Sequence, residues 1–291
     1  MLRPNLRTGF SNPTAPTHTT RVWRGWRGAG RSPFLGQRFR PRRLIYQQPD
    51  TCRIILGHFT GEVSSMLTPI VVDFPLRGEW IAPNTPGTKI PSHGTNLLGE
   101  RYAYDFVGID SKASGLRFYR PNPIRYLFLG VQLQDCIGWG QPIFSATDGL
   151  VVQAEDGWPE RNPVHVARDF AVMFKNARTF AAKRTADLRQ LSGNYILIEA
   201  SDGYVLYAHA QTGSIKVSPG DKVVSGQELA KVGHSGNSTA PHLHFQLMDH
   251  RDPWKAQGIL CCFRDYEVFQ EGAWQLVQNG IPKSTDRIRK F

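Results

Sequence analysis

His242 and His244 stand two positions apart in the run Gly233-His-Ser-Gly-Asn-Ser-Thr-Ala-Pro-His-Leu-His-Phe245. Side chains on an extended segment alternate with period two, so the two imidazoles share one strand face while Leu243 and Phe245 turn toward a core. Imidazoles presented in this way look like half of a metal site. The other half requires a carboxylate and a further His. Candidates are His209, which ends Tyr207-Ala-His209, Asp105 in Tyr102-Ala-Tyr-Asp105, and His93 in Pro91-Ser-His-Gly-Thr95.

Short strands must position these groups. Residues 70–75 and 101–107 read as strands, and the Pro/Gly-rich residues 80–93 between them read as a cleft-lining loop. Residues 111–140, with Pro121 and Pro123, form an irregular insertion. Residues 142–146 and 150–154, joined by a turn at Asp148-Gly149, predict a hairpin. Residues 163–191 are the long helical candidate. There Val166, Phe170, Phe174, Ala177, Ala181 and Leu188 recur at helical spacing, which predicts a core-facing stripe. Strands resume at residues 195–199, 204–208, 222–224 and 228–232, separated by Pro219-Gly-Asp221 and Ser225-Gly-Gln227. Short strands with turn signals at this spacing predict a mostly β protein with an antiparallel sheet or sandwich core and one helical insertion that rims the groove. Asp221 is expected to hydrogen-bond the backbone of its turn. Tyr207, two residues before His209, is expected to share its strand face.

These residues resemble the lysostaphin-like (LytM-type) zinc metallopeptidases, many of which cut peptidoglycan cross-links. Five segments carry the resemblance: Asp105-Phe106; Gln141-Pro-Ile-Phe-Ser-Ala-Thr-Asp-Gly-Leu-Val151; Gly193-Asn-Tyr-Ile-Leu-Ile198; Leu206-Tyr-Ala-His209; and Val217-Ser-Pro-Gly-Asp-Lys-Val-Val-Ser-Gly-Gln227 running on to Phe245. The resemblance implies a duplicated hybrid β-fold and one zinc ion held by His93, Asp105 and His244, with an open position for water. It also implies that His209 and His242 flank that water; the resemblance leaves open which of them is the general base, and our expectation is His242 as the main base with His209 orienting the water or stabilising the oxyanion. Peptidoglycan peptides, or another peptide, are the implied substrate. In one respect the chain departs from the family. The first ligand His usually precedes the Asp by four residues, and Arg101 occupies that position here, so His93 serves only if residues 94–104 loop out and return. Asp110, with Phe106 four residues earlier, does no better.

Other readings compete. An inactive family member, having lost a ligand, would bind the wall or activate other wall enzymes. A cupin-type oxygenase would use the His-x-His pair with Asp249 and iron(II), but no second half with a third His follows. Residues 217–233 also resemble the fold of lipoyl and biotinyl carriers, without a lysine at the carrier turn. Among the remaining histidines, His18, His58, His165 and His250 read as surface or satisfied residues, and His234 as a turn residue near the cleft.

The net charge of +11 is uneven. Residues 1–49 hold ten Arg, no Lys and no acid, which leaves about +1 for the rest of the chain (11 − 10). Residues 1–65 therefore read as a disordered Arg-rich extension, or as translated sequence upstream of a true start at Met66. Residues 66–262 read as the metallopeptidase domain with insertions at 111–140 and 159–192, and residues 263–291 as a C-terminal extension packing on it. The charge gives no reason to expect nucleic acid on the folded part, and a monomer is expected. No apolar run approaches the ~20 residues of a membrane span, and nothing at the N-terminus reads as a secretory signal. The family implies the cell envelope, whereas the missing signal suits a cytoplasmic protein. Cys52, Cys136, Cys261 and Cys262 form no Cys-x-x-Cys pair, which argues against a structural zinc knuckle. The vicinal pair Cys261-Cys262 reads as core packing.

Overall fold

The computed structural model describes residues 68–110, 116–182 and 187–291, without the side chains of residues 177 and 179–182. The Arg-rich extension, Met66, Cys52, His18 and His58 lie outside the described residues.

Runs of β-branched and aromatic residues broken by Gly turns produce short strands. The first five are β1 (Ile70–Val72), β2 (Gly78–Asn84), β3 (Tyr104–Gly108), β4 (Pro142–Phe144) and β5 (Gly149–Glu155). After the helices come β6 (Asn194–Ala200), β7 (Gly203–Ala210), β8 (Lys222–Val223), β9 (Glu228–Lys231) and β10 (Leu243–Met248). The C-terminal part adds β11 (Gly258–Ile259), β12 (Cys261–Gln270), β13 (Ala273–Gly280) and β14 (Arg287–Lys290). Twelve of them form one sheet in the order β1-β12-β14-β2-β3-β10-β7-β6-β5-β8, with β11 on β10 and β13 on β12; β4 and β9 form a separate pair. Only β1 and β12 run parallel; the other described pairings are antiparallel. The protein is mostly β.

The two faces of the large sheet have different jobs. Leu243, Phe245 and Leu247 of β10, Tyr104 and Phe106 of β3, and Val205 and Tyr207 of β7 enter the main core. Phe74 packs edge-on against Phe106 and Phe263 there, each at 5.1 Å between ring centroids. Cys261 is buried in the same core, and Cys262 is buried as well. On the opposite face His244 and Gln246 of β10 line an open cleft with Leu206 and Ala208 of β7.

Several elements differ from the sequence expectation. Residues 80–84 are not loop but the end of β2, with Trp80 and Ala82 buried. Pro83 is tolerated because it is exposed at a register shift between Ile81 and Asn84, where its missing N–H costs no ladder bond. The expected hairpin of residues 142–154 does not form. β4 pairs with β9, and β5 runs between β6 and β8. The backbone between them is satisfied elsewhere: Ser145 N donates to Gln227 O, and Ala146 N donates to the Tyr207 hydroxyl.

The insertion at 111–140 contains a short helix, α1 (Pro123–Leu129), beside a small core of Tyr119, Val131, Leu133, Cys136 and Val164. The long helical candidate divides into α2 (Val166–Ala182) and α3 (Arg189–Ser192). Its predicted core stripe is not one, since Phe170 and Phe174 are 46% and 62% exposed. The helix instead buries Asp169 beside His234 and lends Met173 and Phe174 to the cleft wall. The boundary expected between residues 262 and 263 falls inside β12. No described helix is long and apolar enough to cross a membrane.

Candidate metal centre and catalytic cleft

Pairing across β3, β10 and β7 sets His244 opposite Asp105 on one side and Ala208 on the other. Directly opposed residues share a face, so Asp105 and His244 meet by register alone. His93 arrives along a loop that leaves and returns. In the 3₁₀ segment Leu97–Tyr102, Leu98 and Gly99 take left-handed φ values of 58° and 75°, which turn the chain back. The return is tied at three points. Ser92 N donates to Arg101 O (3.0 Å), Ser92 Oγ to Glu100 O (3.2 Å), and Gln246 Nε2 to Leu98 O (2.8 Å).

His93, Asp105 and His244 each offer a ligand atom, all within 4.8 Å of one another. His93 Nε2 is 2.9 Å from Asp105 Oδ2, and His244 Nδ1 is 2.9 Å from Asp105 Oδ1. The far nitrogens fix the tautomers. Ser92 Oγ, already donating to Glu100 O, accepts from His93 Nδ1–H at 3.1 Å. Gln246, whose amide N–H is given to Leu98 O, turns Oε1 to His244 Nε2–H at 2.9 Å. Neutral rings so held would set their lone pairs against the carboxylate. The arrangement therefore calls for a proton or a cation between them. Two imidazole nitrogens and one carboxylate oxygen, each backed by a hydrogen-bond partner, fit a divalent cation of zinc's preference.

Electrostatics agree with this. Burial raises the Asp105 pKa, but the positive charge of the neighbouring histidines, His93 first, and the hydrogen bond from His244 outweigh it, so the carboxyl stays well below the usual range. Asn84 Nδ2 also donates to Asp105 Oδ2 at 2.7 Å. Burial opposes a charged His244, yet the Asp105 hydrogen bond and charge raise its pKa to about 9.

His209 and His242 flank this group, with ring centroids 4.6 Å apart. His242 Nδ1 lies 2.7 Å from Ala240 O, and its Nε2 is 3.5 Å from Asp105 Oδ1. His209 Nδ1–H donates to Ser235 O (3.0 Å), leaving Nε2 free of a proton. Burial, then repulsion from His242 and His244, holds the His209 pKa well below the ordinary value. The cleft around them has a volume of about 430 Å³, with Lys89, Phe174, Leu191 and Asn237 among its walls.

Two expectations need correction here. Tyr207 does not share the face of His209; it lies in the core, and its hydroxyl accepts from Ala146 N. His209 has φ +63°, a left-handed value rare outside Gly, and that single residue resets the strand's alternation. His234 is not a turn residue at the cleft but fully buried, with its ring between Ser238 and Asp169. Asp110 and Asp249 do not join the metal-capable group among the described residues. Asp221 accepts from Ser218 N at 2.8 Å, a turn-stabilising bond.

Sequence reasoning missed Asn84, Ser92 and Gln246. Gln246 carried a signal, since it lies two residues beyond His244 on the same strand face. Ser92 adjoins His93 in sequence. Asn84 had none, because it belongs to a strand that was read as loop.

Residues 130–256 match the model of peptidase family M23. That stretch contains His209, His242 and His244, whereas His93 and Asp105 precede it. The chain is 37% identical over 60 residues to the peptidoglycan DD-endopeptidase ShyC of Vibrio cholerae, covering 20% of this chain and 13% of that protein. It is 31% identical over 91 residues to the peptidoglycan DD-endopeptidase ShyA of the same organism, covering 31% and 18%. It thus spans less than a fifth of the length of these relatives. Among solved structures, the catalytic domain of lysostaphin from Staphylococcus simulans aligns over 49% of this chain and 85% of that one, at 26% identity and a TM-score of 0.27.

Proposed function

We propose that the chain belongs to peptidase family M23, whose model its residues 130–256 match, in its lysostaphin (LytM) type, and that it is a zinc metalloendopeptidase acting on peptide bonds in peptidoglycan cross-links or stem peptides. The observation that carries this reading is the convergence of His93, Asp105 and His244 within 4.8 Å, with His209 and His242 beside them in one open cleft. In this proposal His93 Nε2, an Asp105 oxygen and His244 Nδ1 hold the zinc ion. Zinc bound there would polarise the scissile carbonyl and lower the pKa of water to ~7.

The remaining steps belong to the side chains. His242 keeps its proton on Nδ1 for Ala240 O, so Nε2 is free to take a proton from the attacking water and pass it to the leaving amine. His209 is held neutral and anchored through Nδ1, which suits its Nε2 to orienting that water. Met173, Phe174 and Leu191 add apolar surface to the cleft lining beside these groups. An inactive, wall-binding relative would need a missing ligand. The 2.9 Å approach of His93 to Asp105 favours the active reading.

The test joins metal analysis with digestion of cross-linked muropeptides. Wild type and His242→Ala should each bind about one zinc per chain, and only wild type should cleave. His244→Ala should lose the metal. Equal turnover by His242→Ala removes it as the base, and full zinc retention in His244→Ala removes it as a ligand. A zinc-loaded wild type that leaves muropeptides intact overturns the endopeptidase reading.

A further inference from the structure

A line of buried polar groups leads from His242 away from the cleft to the inserted helix α2. His242 Nδ1 is 3.1 Å from Ser238 Oγ as well as 2.7 Å from Ala240 O. Ser238 Oγ is 3.0 Å from His234 Nδ1, and His234 Nε2 is 3.3 Å from Asp169 Oδ2. Ser238, His234 and Asp169 are each 0% exposed. Asp169 lies in the first turn of α2 and accepts from Arg161 Nε (2.9 Å) and His165 N (2.8 Å). Arg161 in turn donates to Gly236 O (2.6 Å) and Ser238 O (2.5 Å). The loop that enters β10 at His242 is therefore strapped to the helix at both backbone and side chain.

One assignment of protons satisfies every member. The ionised Asp169 accepts His234 Nε2–H, leaving His234 Nδ1 as an acceptor that shares the single Ser238 hydroxyl proton with Ala240 O, 2.6 Å from Ser238 Oγ. Ser238 Oγ then accepts from His242 Nδ1–H, shared with Ala240 O. The other His242 nitrogen is left with its lone pair toward the cleft. A ring free to flip or change tautomer would present that lone pair only part of the time.

We propose that Asp169, His234 and Ser238 are positioning residues for His242, holding its ring in one orientation and one tautomer, with Nε2 facing the substrate. The inserted helix thereby belongs to the catalytic apparatus through a carboxylate that never meets the substrate. This rests on the reading of His242 as the base.

The experiment uses the full chain with Ser238→Ala, Ser238→Thr, His234→Gln and Asp169→Asn. Each variant is measured for zinc content, for kcat and KM on cross-linked muropeptides, and for the His242 tautomer by two-bond proton–nitrogen correlation NMR. Ser238→Ala and His234→Gln should keep their zinc and lower kcat about 10-fold, with KM within about twofold. Their His242 signals should shift from a single Nδ1–H form to a mixture, and Ser238→Thr should restore both kcat and the single tautomer. Unchanged kcat and an unchanged tautomer in Ser238→Ala and His234→Gln overturn the proposal, even should Asp169→Asn fail to fold. Wild-type turnover by His242→Ala would remove the base reading instead, and the tautomer measurement would still judge the positioning.

Discussion

His244 faces a choice between a proton and a cation. With Nε2–H committed to Gln246 Oε1, only Nδ1 can bind either, and it lies 2.9 Å from the Asp105 carboxylate. In the metal-free protein the proton stays on, since the hydrogen bond and charge of Asp105 outweigh burial and raise the pKa to about 9. The folded value is above the ordinary 6.5, so this group stabilises the metal-free fold fully below pH 6.5 and loses that contribution as pH rises through 9. Zinc must displace the same proton. Calorimetric titration with zinc at pH 7, in buffers of different ionisation enthalpy, should therefore report release of about one proton or more per zinc bound. Zinc uptake at pH 7 without proton release would mean that Nδ1 is not the ligand atom.

At the scale of elements, the pairing of His242 with His244 was legible because a strand alternates with period two and nothing disturbs β10. The same rule failed at Tyr207 because one left-handed residue, His209, resets the alternation, and types and spacings do not announce a φ of +63°. The route of His93 was half legible. Arg101 at the usual ligand position showed that residues 94–104 had to loop out, but what ties the loop down was hidden in long-range contacts. β2 was hidden by Pro83, and the false hairpin arose because both of its strands prefer distant partners. Helical spacing found α2 but not what its apolar side faces. The loop that returns His93 also yields a test. Gly99 has φ +75°, and a Cβ there would come within 2.9 Å of Gln246 Nε2 and 3.0 Å of Met248 Cβ. Gly99→Ala should cost about 1 kcal/mol or more in stability. It should also push aside the amide that orients His244, weakening zinc binding about 10-fold in chelator competition. Unaltered zinc affinity would detach Gln246 from the metal centre.

Across the whole molecule, the C-terminal residues bear on the cleft although they supply none of its chemistry. β14 lies between β12 and β2 within the large sheet, pairing Ile288 with Trp80 on one side and Val268 on the other. β2 ends at Asn84, which holds Asp105, and is followed by Thr85, whose hydroxyl donates to Pro282 O at 2.6 Å. Loosening β14 therefore loosens the carboxylate's support and the start of the loop that carries His93. Ile288 is 0% exposed, and Ile288→Ala removes its packing on Trp80 and Val268 at a cost of about 2–5 kcal/mol. That is a large share of the roughly 5–15 kcal/mol typical of a folded domain. The unfolding free energy of the metal-free variant, from urea titration, should fall by that amount, with a correspondingly lower midpoint. Zinc at about 100 times its dissociation constant should return about 2.7 kcal/mol, because the ion binds only the folded chain. A variant as stable as wild type without zinc would show that β14 is an appendage, and one that zinc fails to rescue would show that β14 and the metal centre fail together.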